Sequence, residues 1–279
     1  MQEEVNTKIS ILVDNNAESG LMAEHGFSLW IETGHSRILF DTGQGSSLLK
    51  NAEAMGIDLG TTDIIILSHG HYDHTGGVAQ GLKHAEKATL YCHPGTVHPR
   101  YGVQNGIPAP LQMPHATMVA IDKLPWDRVR WVQAAQSLGD WGGLTGPIPR
   151  LTAYENTGGK FFLDPDGKRL DPMEDEIALW IRTDSGLIVC VGCAHAGIVN
   201  TLQYIQNLNN GMRIRAVVGG FHLLYADASR IEKTMTALQS LVLDCIVPCH
   251  CTGDHTVKTL NQEFGSICSP GFAGMVLHF

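Results

Sequence analysis

Two rhythms of apolar residues divide the chain. Lys8 to Val13 and Phe27 to Thr33 are rich in β-formers, and Gly34-His35 reads as a turn before Arg37 to Asp41. These runs are expected to pair antiparallel. Ser46 to Met55 changes to helical spacing through Leu48, Leu49, Ala52 and Met55, with Gly56 placed to stop it. The short run Ile64 to Leu67 reads as a buried strand. Gly76-Gly77, Val78 and Leu82 open a helix that reaches about His84, and Thr89 to Cys92 is another strand.

Between Gly95 and about Pro172 the rhythm breaks. Pro, Gly, His and Trp are frequent, and only short β-like pieces such as Met118 to Ile121 and Val129 to Val132 stand out. A stretch this long without regular elements is usually functional, so residues 95–172 are expected to form a substrate pocket or lid. Its aromatics and low charge argue against disorder. Regularity then returns, with a hairpin of Glu176 to Arg182 and Leu187 to Val191 across Asp184-Ser185-Gly186. Ile198, Leu202 and Ile205 mark a helix and Ile214 to Val218 a strand. Ser229-x-x-Glu232 is a capping box for a helix with Ile231, Met235, Leu238 and Val242 on one face. Cys245 to Pro248 is a strand, Thr256 to Phe264 a helix and Met275 to Phe279 a closing strand. The order suggests two similar halves, each a sheet covered by helices. No linker separates them, so residues 1–279 are read as a single α/β domain.

Composition narrows the function classes. At 279 residues the chain can bury a core that needs no disulfide. A net charge of −9, without a dense Lys/Arg block, disfavours nucleic acid as a partner. No apolar run has membrane length, and no signal-peptide core follows Met1-Gln2-Glu3-Glu4, so a cytoplasmic location with no membrane partner is expected. The seven cysteines fall on or beside expected strands, where free thiols or ligands are the expectation rather than a disulfide framework. Oligomeric state is not legible.

The chemistry concentrates in Ser68-His69-Gly70-His71-Tyr72-Asp73-His74-Thr75-Gly76-Gly77. Three imidazoles and a carboxylate sit in one strand-to-helix loop. A mixed His/Asp set suits a hydrolytic zinc or a non-haem iron. Four donors so close together can hardly all face one ion. We therefore expect two, with His69 and His71 on one and Asp73 and His74 on the other. Gly192-Cys193-Ala194-His195-Ala196-Gly197 has the same strand-to-helix context, which makes His195 a third donor to the first ion. His222 and His250 end later strands and, if those strands are parallel, lie at the same edge. His222 is read as a ligand or a substrate contact.

His-x-His-x-Asp-His after a hydrophobic strand resembles the signature of the metallo-β-lactamase superfamily, as does the preceding Ile38-Leu39-Phe40-Asp41-Thr42-Gly43. Glu24-His25-Gly26, Thr145-Gly146-Pro147-Ile148-Pro149-Arg150, Gly219-Gly220-Phe221-His222 and Pro248-Cys249-His250-Cys251-Thr252-Gly253 are similar to one branch. That branch is usually labelled metal-dependent hydrolases of β-lactamase superfamily II. Some of its members carry the name 7,8-dihydropterin-6-yl-methyl-4-(β-D-ribofuranosyl)aminobenzene 5′-phosphate synthase. The resemblance implies a four-layer αββα sandwich with two divalent metal ions at one edge between the sheets. Zinc is the first choice, with iron or manganese as alternatives. It also implies that His250 is the late histidine of the second ion. One departure stands out: where many members place a metal-bridging Asp, this chain has Cys193. A thiolate there could bridge, ligate or stand aside. The remaining cysteines are expected to be packing thiols, with Cys249 and Cys251 on one side and His250 on the other.

Arg100, Arg150 and the helix N-terminus at Gly197 are expected to bind a small anionic, phosphorylated substrate. His25, His93, His98, His115 and His255 have no ligand spacing of their own. The leading function is a metal-dependent hydrolase in which a metal-bound hydroxide, oriented by Asp73, attacks an ester, lactone or phosphoester. The alternative implied by the branch is a transferase condensing a dihydropterin methyl diphosphate with a ribosyl-aminobenzene phosphate. A di-iron redox protein ranks third, because such proteins usually have Glu in place of His71 and carry a flavin-binding partner domain.

Overall fold

In a computed structural model describing residues 7–279, the chain opens with β1 (Lys8–Val13), β2 (Ser28–Glu32), β3 (Arg37–Phe40), α1 (Leu48–Ala54), β4 (Ile64–Ile66), α2 (Tyr72–Thr75), α3 (Val78–His84) and β5 (Thr89–Cys92). Its middle contributes β6 (Tyr101–Gln104), β7 (Ile107–Pro110), α4 (His115–Asp122), β8 (Val129–Trp131), β9 (Gln136–Ser137), β10 (Gly142–Leu144) and β11 (Phe161–Phe162). The last part holds β12 (Leu179–Thr183), β13 (Gly186–Val191), α5 (Ile198–Leu208), β14 (Ile214–Gly220), α6 (Ala228–Gln239), β15 (Cys245–Cys249), α7 (Asp254–Phe264) and β16 (Val276–His278). The Met1-Gln2-Glu3-Glu4 start lies outside the described residues.

Seven strands form one sheet in the order β16-β1-β2-β3-β4-β5-β8, and six form a second in the order β15-β14-β13-β12-β10-β9. As expected, β1, β2 and β3 pair antiparallel, whereas β3, β4, β5 and β8 run parallel. In the second sheet β13, β14 and β15 are parallel. The central strands read as continuous apolar runs because both faces are covered. Ile38, Phe40 and Ile66 meet Ile188, Cys190, Ala216, Val218 and Val247 in a core between the sheets. The alternate residues Leu39, Ile65 and Leu67 face outward onto Leu48 and Ala52 of α1 and Val78 and Leu82 of α3. On the other sheet, Leu187, Val189, Val191 and Val217 pack under Leu202 of α5, Leu238 of α6 and Leu260 of α7. A period of two thus divides each strand between two cores, and the result is four layers, αββα.

Three expectations change. The span 95–172 is not without elements; it holds α4 and six short strands, three of which form a small separate sheet in the order β11-β6-β7. Met118 to Ile121 is helix rather than strand. Thr117 and Ile121, four apart, are buried while Val119 is exposed, which is a helical face rather than an alternating one. The cap of α6 is Asp227, whose side chain accepts from Arg230 N at 2.8 Å, so the helix begins before Ser229 and no capping box forms there. Among the described residues no helix is long and apolar enough to cross a membrane.

Candidate metal centre

Strand β4 ends at Ile66, and the chain then turns through Ser68 to His71, the residue that precedes α2. This loop lies against the carboxyl ends of β3, β13, β14 and β15. His69, His71 and His195 bring one nitrogen each to within 4.8 Å of one another, all buried. His69 Nε2 is 3.0 Å from His71 Nδ1. Burial, followed by the neighbouring imidazoles, pushes the pKa of His69 and of His195 well below the ordinary value. Burial also outweighs the Asp73 carboxylate in depressing His71. All three are therefore neutral, the form that binds a metal.

The other loop residues diverge. Asp73 Oδ2 lies 3.3 Å from Nε2 of both His25 and His250. Burial would raise the Asp73 carboxyl, but His74, His25 and His250 together hold it well below the usual range, so it is ionised. His74 instead points Nε2 at Cys193 Sγ, 3.1 Å away. Cys193, Cys251 and His250 form a further group within 4.8 Å, as do Cys193, His195 and His222. His222 therefore stands at the same edge, with its ring 4.1 Å from that of His195.

Outer contacts fix which imidazole nitrogen is free. Ser68 Oγ gives its proton to Asp41 Oδ2 at 2.6 Å, so it accepts from His69 Nδ1 at 2.8 Å. His74 Nδ1 donates to the same Asp41 oxygen at 2.7 Å. Burial disfavours the charged form of His74, yet Asp41 and Asp73 hold its pKa up at about 9. His195 Nδ1 donates to Thr157 O, and His250 Nδ1 to Asn15 Oδ1, both at 2.9 Å. Asp14 Oδ2 accepts from His250 N at 2.8 Å. In each of these four rings Nε2 is left facing the centre, the usual arrangement behind a metal-ligating histidine, and His74, held protonated by Asp41 and Asp73, must release its Nε2 proton to bind an ion. His195 Nε2 is buried without a hydrogen-bond partner among the described residues. That orphaned atom, beside further imidazoles, thiols and a carboxylate, fits a metal ion.

The backbone is bent to reach this arrangement. Of the seven non-glycine residues with positive φ among the described residues, four are Asp41, Ala194, His222 and His250. Such strain tends to cluster at functional sites. Gly192 is required for a different reason, since a Cβ there would collide with Ser68 Oγ and crowd Asp41.

The expected anion-binding residues are placed elsewhere. Arg100 is 1% exposed, with Nε donating to Asp171 at 2.7 Å and Nη1 to Asp175 at 2.8 Å. Asp175 also accepts from Gly70 N at 2.8 Å, so Arg100 braces the histidine loop from behind. Arg150 is spent on carbonyls, donating to His195 O at 2.6 Å and Pro172 O at 2.9 Å. The N-terminus of α5 beyond Gly197 already holds an anion, the Glu155 carboxylate, which accepts from Val199 N at 2.9 Å and Asn200 N at 2.8 Å. None of the three lines the cleft in front of the histidines.

That cleft has a volume of about 750 Å³. Its floor is His71, Asp73, His222, His250, Cys193 and Cys251; its walls are the β6–β7 hairpin, Phe161, Leu224 and Tyr225. Lys160 is the only lysine or arginine among the described lining residues. Sequence reasoning missed His25, Cys251 and Lys160. The segment Glu24-His25-Gly26 was a signal for the first, and Cys249-His250-Cys251 for the second. Cys249 packs between the sheets while Cys251 faces the centre, so the two thiols do not share a side. The cause is that β15 ends at Cys249 and a 3₁₀ turn begins at His250, which ends the strand alternation.

A family model described as Metallo-beta-lactamase superfamily matches residues 22–154. The chain is 32% identical to the 7,8-dihydropterin-6-methyl-4-(beta-D-ribofuranosyl)-aminobenzene-5'-phosphate synthase of Methanocaldococcus jannaschii, over 98% of this chain and 97% of that protein. It is 30% identical to an uncharacterized protein of the same archaeon, over 91% of this chain and 94% of the other. A crystal structure of a metal-dependent hydrolase of the beta-lactamase superfamily superposes with a TM-score of 0.83 at 32% identity, covering 97% of this chain and 98% of that one.

Proposed function

Because this chain belongs to the metallo-beta-lactamase superfamily, we propose that it is a metal-dependent enzyme that transfers a dihydropterin methyl group onto a ribosyl-aminobenzene phosphate, with diphosphate leaving. The observation that carries this reading is the full-length likeness to a synthase whose name states that product. A cleft of about 750 Å³ suits small-molecule ligands of this size, and its Phe161 and Tyr225 walls suit flat rings. In the reaction an N–C bond forms at the methylene carbon, the C–O bond to diphosphate breaks, and the arylamine proton is released.

His69, His71 and His195 would hold one divalent ion, and Asp73 and His250 would contribute to a second, with His74 and Cys193 beside them. Zinc fits the imidazole and thiol donors, and iron or manganese the imidazole and carboxylate ones. When bound, the ions supply the positive charge that steadies a leaving diphosphate or, in a hydrolase, polarises the scissile bond. The chain's own residues do the rest. Lys160 meets a phosphate at the cleft wall, while Asp41, Asn15 and the Thr157 carbonyl hold the histidine rings in place. Asp73 stays ionised between His25 and His250, its carboxylate facing the reacting groups.

A second reading, hydrolysis of an ester, lactone or phosphoester, is favoured by the likeness to a metal-dependent hydrolase. One assay separates the two. Metal-loaded protein is given the dihydropterin methyl diphosphate with and without the ribosyl-aminobenzene phosphate, and products are identified by mass. Diphosphate release that requires the arylamine and yields the coupled product is expected. Equal release in both samples, with free hydroxymethyl-dihydropterin as product, would establish hydrolysis instead.

A further inference from the structure

Three groups of potential donors share one atom, the sulfur of Cys193. It lies with His69 and His74, with His195 and His222, and with His250 and Cys251. We propose that Cys193 and Cys251, together with His250, form a thiol donor set that makes the second metal position thiophilic, with Cys193 bridging toward the histidine site. The proposal rests on the metal-centre reading above and is independent of whether the reaction is transfer or hydrolysis.

Four observations support it. Both thiols are buried, Cys193 3% and Cys251 8% exposed, yet both line the floor of the cleft. Apolar packing does not account for that placement, because Cys190 and Cys249 already fill the core between the sheets. The backbone opens space for the second sulfur: a Cβ on Gly220 would crowd Cys251 Sγ, and Cys251 follows the left-handed His250. Finally, His250 has its Nδ1 committed to Asn15, which turns its Nε2 toward the centre, 3.3 Å from Asp73 Oδ2, and one of its ring nitrogens lies within 4.8 Å of both sulfurs. Two sulfurs and an imidazole are soft to borderline donors, preferring zinc or cobalt to magnesium or manganese.

Chelator-stripped protein reloaded with cobalt(II) tests this, because a thiolate on cobalt gives a near-ultraviolet charge-transfer band that imidazole and carboxylate do not. X-ray absorption of the zinc-loaded protein provides a second readout, with a sulfur shell at about 2.3 Å beside the nitrogen shell at about 2.0–2.1 Å. The wild type is expected to show both signals. Cys251→Ser should lower the sulfur signal and lose the second metal equivalent, Cys193→Ser should lower occupancy at both positions, and Cys190→Ser should change neither. A wild type that takes up cobalt with visible d–d bands but shows no sulfur signal overturns the thiol set and leaves the histidine centre standing. Protein that takes up no cobalt overturns both. Sulfur signals unchanged in Cys193→Ser and Cys251→Ser also overturn the proposal, and the wild-type spectra decide the matter even if a variant fails to fold.

Discussion

Arg100 and Lys160 show how little a charged residue reveals by its type alone. Both lie in the stretch whose sequence suggested a substrate pocket. Arg100 is sealed between Asp171 and Asp175, partners more than seventy positions away in the chain, and no local pattern announces them. Lys160 is exposed on the cleft wall and has no local motif at all. The histidine loop was legible because its donors stand within six consecutive positions, His69 to His74; Cys251 was not, because strand alternation fails where β15 ends. Opposite outcomes follow for the two cations. Arg100→Ala strands two buried carboxylates and should cost about 3–5 kcal/mol of stability, read as a fall in the denaturation midpoint. Lys160→Ala should leave stability within about 0.5 kcal/mol and weaken a phosphorylated ligand by up to about tenfold against its dephosphorylated counterpart, measured by calorimetry at fixed salt. If instead Arg100→Ala folds normally and loses phosphate preference, the assignment of the two residues is reversed.

Elements differ in how far their residues declare them. The central strands were readable because a buried strand must supply apolar side chains to both of its faces. The β6–β7 hairpin was not, because Gly102, Gly106, Pro108 and Pro110 break any alternation. Its prolines are tolerated because β7 is the edge of the order β11-β6-β7, where a missing N–H leaves no neighbour unpaired. Helix α5 was readable, but what sits on its N-terminus was not. The sequence suggested a substrate anion at Gly197, whereas Glu155 supplies the charge from within the chain, its carboxylate also accepting from Thr152 Oγ1 at 2.8 Å. Removing that carboxylate in Glu155→Ala uncaps two backbone N–H groups and should cost about 0.5–2 kcal/mol. It should leave the preference for phosphorylated ligand as it was. A changed preference with undiminished stability would return the helix terminus to the substrate site.

The whole molecule places the candidate centre where its two sheets meet, and the residues that could hold an ion come from both. The first sheet gives the loop after β4, with Asp41 behind it and Asp14 and Asn15 following β1. The second gives Cys193 and His195 after β13, His222 after β14, and His250 and Cys251 after β15. An ion held by His69, His71 and His195 would therefore tie one sheet to the other, although the loops concerned lie more than a hundred residues apart in sequence. The apolar cores between and outside the sheets are built without it. Metal removal should consequently lower the melting temperature without unfolding the chain. Above saturation, each tenfold increase in free zinc should add about 1.4 kcal/mol to the unfolding free energy for each ion bound, because only the folded state assembles the donors. Calorimetry of chelated protein titrated back with zinc measures this, with far-ultraviolet circular dichroism confirming that the stripped protein keeps its secondary structure. Identical melting with and without metal would mean that no ion links the sheets. Loss of the circular dichroism signal on chelation would mean that the three cores cannot hold the four layers together without it.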